Sequence, residues 1–313
     1  MTIKTIYKYL GPEVLDKVFP SPDNVTFKCS LPKDFNDPYE LFLTIDFNQK
    51  PDLLAFYADV IGELPQYPTT CFSRSPAVIP MWAHYAQNHE GFVIEVSETK
   101  LSELLPDISC NDVSYSDAPI HDLSSSLGMA YGTSKMRHTY LLRRSVLFSA
   151  YFTKTSCWAY EQERRLVAQD EKDTRTVGPI ILFDVPKKCI TSIICGARAS
   201  DATKQSLKEK AKELGCRYFE LRIGKNSATP FFVDGSEQPF SFDQGQLSAC
   251  NQYCGTCMEP IAREALECSW CQISDQLRQD AASRNPFRIL DNLGMLDTYV
   301  AEMDAITARG RTK

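Results

Sequence analysis

Two groupings of side chains in this 313-residue chain have the types and spacing for chemistry. Near mid-chain, Trp158-Ala159-Tyr160-Glu161-Gln162-Glu163-Arg164-Arg165-Leu166-Val167 sets two carboxylates one residue apart, with aromatics before them and arginines after. Read as an extended strand, alternation puts Glu161, Glu163 and Arg165 on one face and Tyr160, Gln162 and Arg164 on the other. Two acids on one face repel, so one keeps its proton or recruits a cation, and Arg165 stands where that cation is needed. A surface charge ladder has the same composition, but Trp158, Tyr160 and Leu166-Val167-Ala168 are costly to expose.

The second grouping is Cys254-x-x-Cys257, ten intervening residues, then Cys268-x-x-Cys271. Two Cys-x-x-Cys knuckles supply four thiolates, the donor set of a closed tetrahedral zinc site. A four-sulfur site leaves no open position for a substrate, so its expected role is to fold a segment too small for its own core. Cys250 lies four residues before Cys254 and competes as a ligand. The chain has 12 cysteines, and the rest are scattered singly in mostly apolar contexts, as small buried hydrophobes are. The N-terminal residues carry no apolar signal-like run, so clustered thiols in a reducing cytoplasm point to metal rather than disulfides.

Other elements must position these groups. Ile3–Tyr9 and Val25–Ser30 read as strands, and Lys33-Asp-Phe-Asn-Asp-Pro-Tyr-Glu40 as a turn able to bring Asn36 and Asp37 into a cleft. Pro51–Leu64 has helical spacing. Pro80 suits a helix start that puts Met81, Trp82 and Tyr85 on one face with His84 beside it, and Phe92–Val96 follows as a strand. Asp107–Asp122 reads as a loop, and Tyr131–Thr155 as a helix with a basic cluster of Lys135, Arg137, Arg143, Arg144 and Lys154. Pro179–Val185, Ile190–Cys195 and Cys216–Ile223 read as strands. A helix capped by Ser200 and stopped by Gly215 precedes the last of them. Together they predict an α+β main domain over residues 1–225, its mixed or antiparallel central sheet flanked by helices. A linker is expected over 226–248, and a small zinc-binding helical module with a tail broken at Pro286 over 249–313.

Composition narrows the function. Hydrophobic residues make up 43% and charged ones 24%, with a net charge of −6, which excludes a wholly basic nucleic-acid coat. No apolar run reaches membrane-spanning length. No Gly-rich phosphate loop and no Gly-x-Ser-x-Gly elbow is present.

Three blocks in combination resemble a widespread bacterial family, domain of unknown function 2971, over roughly the first 225 residues. They are Phe35-Asn-Asp-Pro-Tyr-Glu40, Met81-Trp-Ala-His-Tyr85 with His89-Glu-Gly-Phe92, and Trp158-x-Tyr-Glu-x-Glu-x-Arg165. A more distant similarity is to ADP-ribosyltransferases, in which an early strand, a middle aromatic or hydroxyl block and a late Glu-x-Glu or Gln-x-Glu strand form the site. Tyr7-Lys8-Tyr9, the block around Trp82, His84 and Tyr85, and Glu161-Gln162-Glu163 fall in that order, with Lys8 where that family has Arg or His. The similarity implies NAD⁺ as co-substrate and an ADP-ribosyltransferase-like fold. Glu163 would stabilise the oxocarbenium, Glu161 would orient or deprotonate the acceptor, and Tyr85 with Trp82 would stack on nicotinamide. Lys8 or Arg143 with Arg144 would hold pyrophosphate. The expected function is a cytoplasmic effector of toxin or anti-phage type that modifies a protein or nucleic acid, with the C-terminal module open to a regulatory partner. The alternative is a non-enzymatic binding module using the zinc knuckles and the Arg-rich helix. A Mg²⁺ nuclease built on Asp37, Glu161 and Glu163 ranks last, because Arg164-Arg165 is a poor neighbour for a divalent cation.

Overall fold

The computed structural model describes residues 4–39, 44–106, 108–262 and 265–310 of the chain; Ile3, Glu40 and Asp107, each part of a stretch read above, lie outside the described residues. The chain divides into two units, Met1–Cys250 and Asn251–Lys313.

The first unit opens with β1 (Thr5–Leu10), a single turn α1 (Leu15–Val18) and β2 (Asn24–Cys29). After α2 (Pro51–Ile61) come β3 (Thr69–Ser73), α3 (Ile79–Tyr85), β4 (Phe92–Ser97), α4 (Glu98–Leu104), β5 (Ser109–Asp112) and β6 (Ser114–Tyr115). Helices α5 (His121–Thr133) and α6 (Met136–Phe152) lead into β7 (Thr153–Lys154), a 3-10 turn over Ser156–Glu161 and β8 (Glu163–Val167). Then follow β9 (Arg175–Val177), β10 (Ile180–Pro186), β11 (Ile190–Cys195), α7 (Asp201–Leu214), β12 (Arg217–Arg222), β13 (Phe231–Asp234), β14 (Pro239–Asp243) and β15 (Gln246–Ala249).

Ten strands form one mixed sheet in the order β15-β14-β13-β12-β11-β4-β1-β3-β8-β5. Its pairs are antiparallel except β11 with β12, which run parallel across α7. Every residue of β4 is buried, which an apolar run such as Phe92-Val-Ile achieves only when both sheet faces are covered. Alternation along β1 sorts the two faces. Ile6 packs with Phe27, Phe72, Phe92 and Phe183 under α7 and the small β2-β10-β9 sheet, and Tyr7 and Tyr9 pack with Met81, Trp82 and Val93 under α3. Helices α2, α5 and α6 share a separate core of Tyr57, Ile61, Leu127, Leu142 and Val146.

The α+β class and a sheet flanked by helices are therefore as expected. Helix α7 also has its anticipated ends: the Ser200 hydroxyl accepts from the Thr203 amide, and Gly215 closes it at φ +68°. Four local expectations differ. Tyr160-Glu161 is not strand, because Gln162 at φ +46° ends a 3-10 turn and the strand starts only at Glu163. The Tyr131–Thr155 helix is broken where Ser134, at φ +51°, ends α5. The Asp107–Asp122 loop contains β5 and β6, which pair with β8 and β7. Most of the 226–248 linker is folded into β13, β14 and β15, which extend the large sheet. Its polar punctuation marks hairpin turns: the Asp234 carboxylate accepts from the Ser236 and Gln238 amides, and Gly245 stands at φ +81°. Phe232, Phe240 and Leu247, one from each of these strands, join the core on the Tyr7 face.

The second unit holds α8 (Asp275–Arg284), α9 (Pro286–Asn292), which begins at the expected Pro286 break, and α10 (Leu296–Gly310). Among its described residues only Cys254, Glu259 and Cys268 are buried. No helix among the described residues is long and apolar enough to cross a membrane.

The backbone after β11 passes close to the backbone before β4 at Gly196. A Cβ on Gly196 would lie 2.2 Å from the His89 carbonyl oxygen and 2.7 Å from that of Gly91. Both obstacles are main chain and cannot rotate away. Gly196→Ala is expected to lose about 1–3 kcal/mol of stability, read as a lower urea midpoint at unchanged slope.

Candidate functional site

β1, β3 and β8 are consecutive in the sheet, with Tyr7 opposite Ser73 and Ser73 opposite Glu163. This register sets the first strand beside a carboxylate about half the chain away. Across it opens a cavity of about 200 Å³, lined by Lys8, Ser73, Tyr85, Lys154, Glu161 and Glu163 among others.

Four charged side chains form one wall. Arg165, two residues on from Glu163 and so on the same face of β8, donates from Nε to Glu163 Oε1 at 2.8 Å and from Nη2 to Oε2 at 3.0 Å. Its Nη1 donates to the Tyr151 carbonyl, and its guanidinium lies 5.2 Å from the Phe35 ring centroid. Lys154 Nζ donates to Glu161 Oε2 at 2.7 Å and reaches Glu163 Oε2 at 3.4 Å. Tyr85 Oη donates to Glu161 Oε1 at 2.5 Å. Arg164 points to the opposite face, where it meets Glu98 and Asp112.

The electrostatics follow from this pairing. Burial alone would raise the Glu163 carboxyl, but Arg165 first and Lys154 second hold it down to about 2. Lys154 is itself raised: burial works against its charge, and Glu163 and Glu161 outweigh it. Burial and the neighbouring Glu161 raise the Tyr85 phenol, so it stays a hydrogen-bond donor. Burial and the charge of Glu163 raise the Cys71 thiol on the same wall.

Lys8 is different. Its Nζ donates to Thr70 Oγ1 at 2.9 Å and to the Cys71 carbonyl at 2.8 Å, and lies 5.6 Å from the Phe72 ring centroid. It has no carboxylate within ion-pair distance among the described residues. Burial lowers its pKa. A half-buried ammonium served only by neutral acceptors is one whose charged form a neighbouring anion would favour.

The candidate residues divide as follows. Tyr7, Lys8, Asn36, Tyr85, Glu161 and Glu163 line the cavity, and Arg165 stands behind Glu163. Trp82 does not line it. It is fully buried, donates from Nε1 to the Pro76 carbonyl at 2.7 Å and stacks on His89, so it anchors α3 and leaves the ring contact to Tyr85. His84 is exposed and touches the Tyr160 ring. The Asp37 carboxylate is spent on the Tyr39 amide. Arg143 and Arg144 line a separate cavity with Tyr67 and Tyr140. Sequence reasoning missed Lys154 as a site residue: it was grouped with exposed basic residues, yet it is 7% exposed. The strand signal at Thr70-Cys71-Phe72-Ser73 was legible, but which of its hydroxyls faces a cavity was not.

In the second unit, the sulfurs of Cys254, Cys257, Cys268 and Cys271 all lie within 4.8 Å of one another. The Cys257 and Cys268 sulfurs are 3.8 Å apart, against about 3.8 Å for the edge of a tetrahedron with 2.3 Å metal–sulfur bonds. The four cysteines thus fit one zinc ion, and the group does not include Cys250. The first knuckle is shaped by Met258 donating its amide to the Cys254 carbonyl at 2.9 Å.

A family model described as "Protein of unknown function (DUF2971)" matches residues 81–166, from α3 to β8. The match contains Tyr85, Lys154, Glu161, Glu163 and Arg165, and stops short of Lys8 and of the cysteines. No curated protein and no solved structure matches the chain.

Glu163 couples stability to acid. Its folded pKa lies below the ordinary 4.5, so its contribution is complete above about pH 4.5 and is lost as pH falls from there to about 2. Glu163→Gln leaves Arg165 and Lys154 undercompensated. It is expected to cost about 3–5 kcal/mol near neutral pH and to flatten the acid limb of a stability–pH curve. For the cysteines, metal analysis is expected to find one zinc per chain. Chelation, or Cys268→Ser, should abolish protection from proteolysis within residues 251–272 and leave the unfolding of the first unit unchanged.

Proposed function

We propose that the cavity of the first unit binds the nicotinamide end of NAD⁺ and that the protein transfers ADP-ribose from it to a macromolecular acceptor, a protein or a nucleic acid. The observation that carries this reading is that Lys8, Tyr85, Glu161 and Glu163, from three separated stretches, line one cavity. The order of the stretches is that of the three stations of an ADP-ribosyltransferase, and the reading extends to such a fold.

Breaking the bond between nicotinamide and ribose sends the electron pair to the pyridine nitrogen and leaves positive charge on the sugar. Carboxylates on one side of the ribose stabilise that charge. Glu163 is ionised throughout the neutral range and provides it. Its bidentate pairing with Arg165 fixes the carboxylate's position and occupies both its oxygens, so the role of base falls to Glu161. Glu161 receives the proton lost by the acceptor as the new bond to the sugar forms. Tyr85, held by Glu161, is the half-buried ring at the cavity wall that would meet a cationic ring. Lys8 supplies a positive contact to a phosphate. A volume of about 200 Å³ falls below the roughly 300–1,000 Å³ of a full small-molecule site, so the cavity takes one end of the dinucleotide and the rest lies outside it.

The test separates binding from chemistry. The wild-type protein is expected to gain thermal stability with NAD⁺ and to release nicotinamide. Because Glu163 also anchors Arg165, the diagnostic variant is Glu161→Gln, which should keep the NAD⁺-induced shift and lose at least about 100-fold in nicotinamide release. Absence of both the shift and nicotinamide release from the wild type sinks the reading.

A further inference from the structure

A second cavity, of about 350 Å³, lies between α6 and the segment that follows α2. Leu64 and Leu147 give it apolar surface, Tyr67 and Tyr140 aromatic surface, and Arg143 and Arg144 charge. Tyr140, Arg143, Arg144 and Leu147 are three and four residues apart on α6, so they share one stripe of the helix. Tyr140 is 58% exposed, and the Arg144 guanidinium lies 6.0 Å from its ring centroid.

Neither arginine has a carboxylate partner among the described residues, whereas Arg74, Arg164, Arg165 and Arg175 each have one. The surrounding sequence explains this: from Leu123 to Tyr160 there is no Asp or Glu, in a chain of net charge −6. Lys154 of that stretch turns inward to Glu161, while Arg137, Arg143 and Arg144 stay exposed. An acidic protein thus presents a local basic face, with an apolar, aromatic recess in it.

We propose that this recess is a binding site for single-stranded nucleic acid. One base enters beside Tyr140, and the flanking phosphates pair with Arg143 and Arg144. Planar bases supply the stacking face and the backbone supplies the charge, so one ligand uses both halves of the site. Duplex bases are already stacked and cannot enter the recess. A membrane-bound helix separates its apolar and basic faces, whereas here Tyr140 sits in the arginine stripe. The site is distinct from the Glu163 cavity and does not rest on the NAD⁺ reading.

The test is fluorescence anisotropy of the full chain with a labelled mixed-sequence RNA or DNA strand of about 12 nucleotides. Matched duplex, an acidic peptide and anionic vesicles serve as competitors. Binding should weaken with salt. R143E/R144E should reduce affinity at least tenfold and make the log–log salt slope shallower by about 1.4, the value for two phosphate contacts on a single strand. Y140A should weaken binding roughly fivefold or more with little change in slope. K188E/K212E, an equal change in net charge on exposed lysines elsewhere, should leave binding within twofold. All these residues are exposed, so unchanged thermal unfolding is expected in every variant. The proposal is overturned if no strand binds at low salt, if R143E/R144E behaves like K188E/K212E, or if duplex binds as tightly as single strand. It is equally overturned if vesicles or the acidic peptide bind through Arg143 and Arg144 while the oligonucleotide does not.

Discussion

The buried quartet of Lys154, Glu161, Glu163 and Arg165 constrains the rest of the first unit. None of the four side chains is more than 7% exposed. Charges at that depth are tolerated only when paired and hydrogen-bonded. They come from β7, from the 3-10 turn and from β8, so the pairing fixes three consecutive pieces of chain against one another. Tyr115, whose hydroxyl accepts from the Glu163 amide at 2.7 Å, ties β6 to the same point. The left-handed Gln162 is the backbone cost of turning Glu161 out of the strand while keeping it on Lys154.

This constraint also sets the chemistry of the cavity. Two acids and two cations cancel, so the wall is polar without a large net charge. Lys8, across β3, adds positive charge not balanced by a carboxylate among the described residues. Trp82 matters here indirectly. Its burial against Tyr9 and His89 seats α3, which puts Tyr85 within reach of Glu161. An aromatic expected in the cavity is thus a support for the aromatic that lines it.

The two units solve the stability problem differently. The first buries two apolar faces of a long sheet and a helical core. The second has three buried residues among those described, two of them cysteines, and its four clustered thiols are placed where one metal ion could do what burial does elsewhere. Its helices leave Leu277, Phe287, Ile289 and Ile306 exposed.

By itself the sequence determined the α+β class, the strands at Phe92–Val96 and Ile190–Cys195, the capped helix from Asp201 and the grouping of four cysteines. These are local signals: alternation, caps and knuckle spacing are written within a dozen or so residues. It also indicated that Glu163 and Arg165 share a face, since strand alternation needs no partner. Only the tertiary structure decided that Lys154 faces inward and Arg143 and Arg144 outward, because charge type does not say which side of a helix end meets an acid. Only it decided that Trp82 is core and Tyr85 is wall, since both lie on one helical face and depth is set by what packs above. The hairpins of 231–249 read as a linker for a related reason: their turns are polar and their strands short, and the sheet edge that accepts them is built from residues far away in the chain.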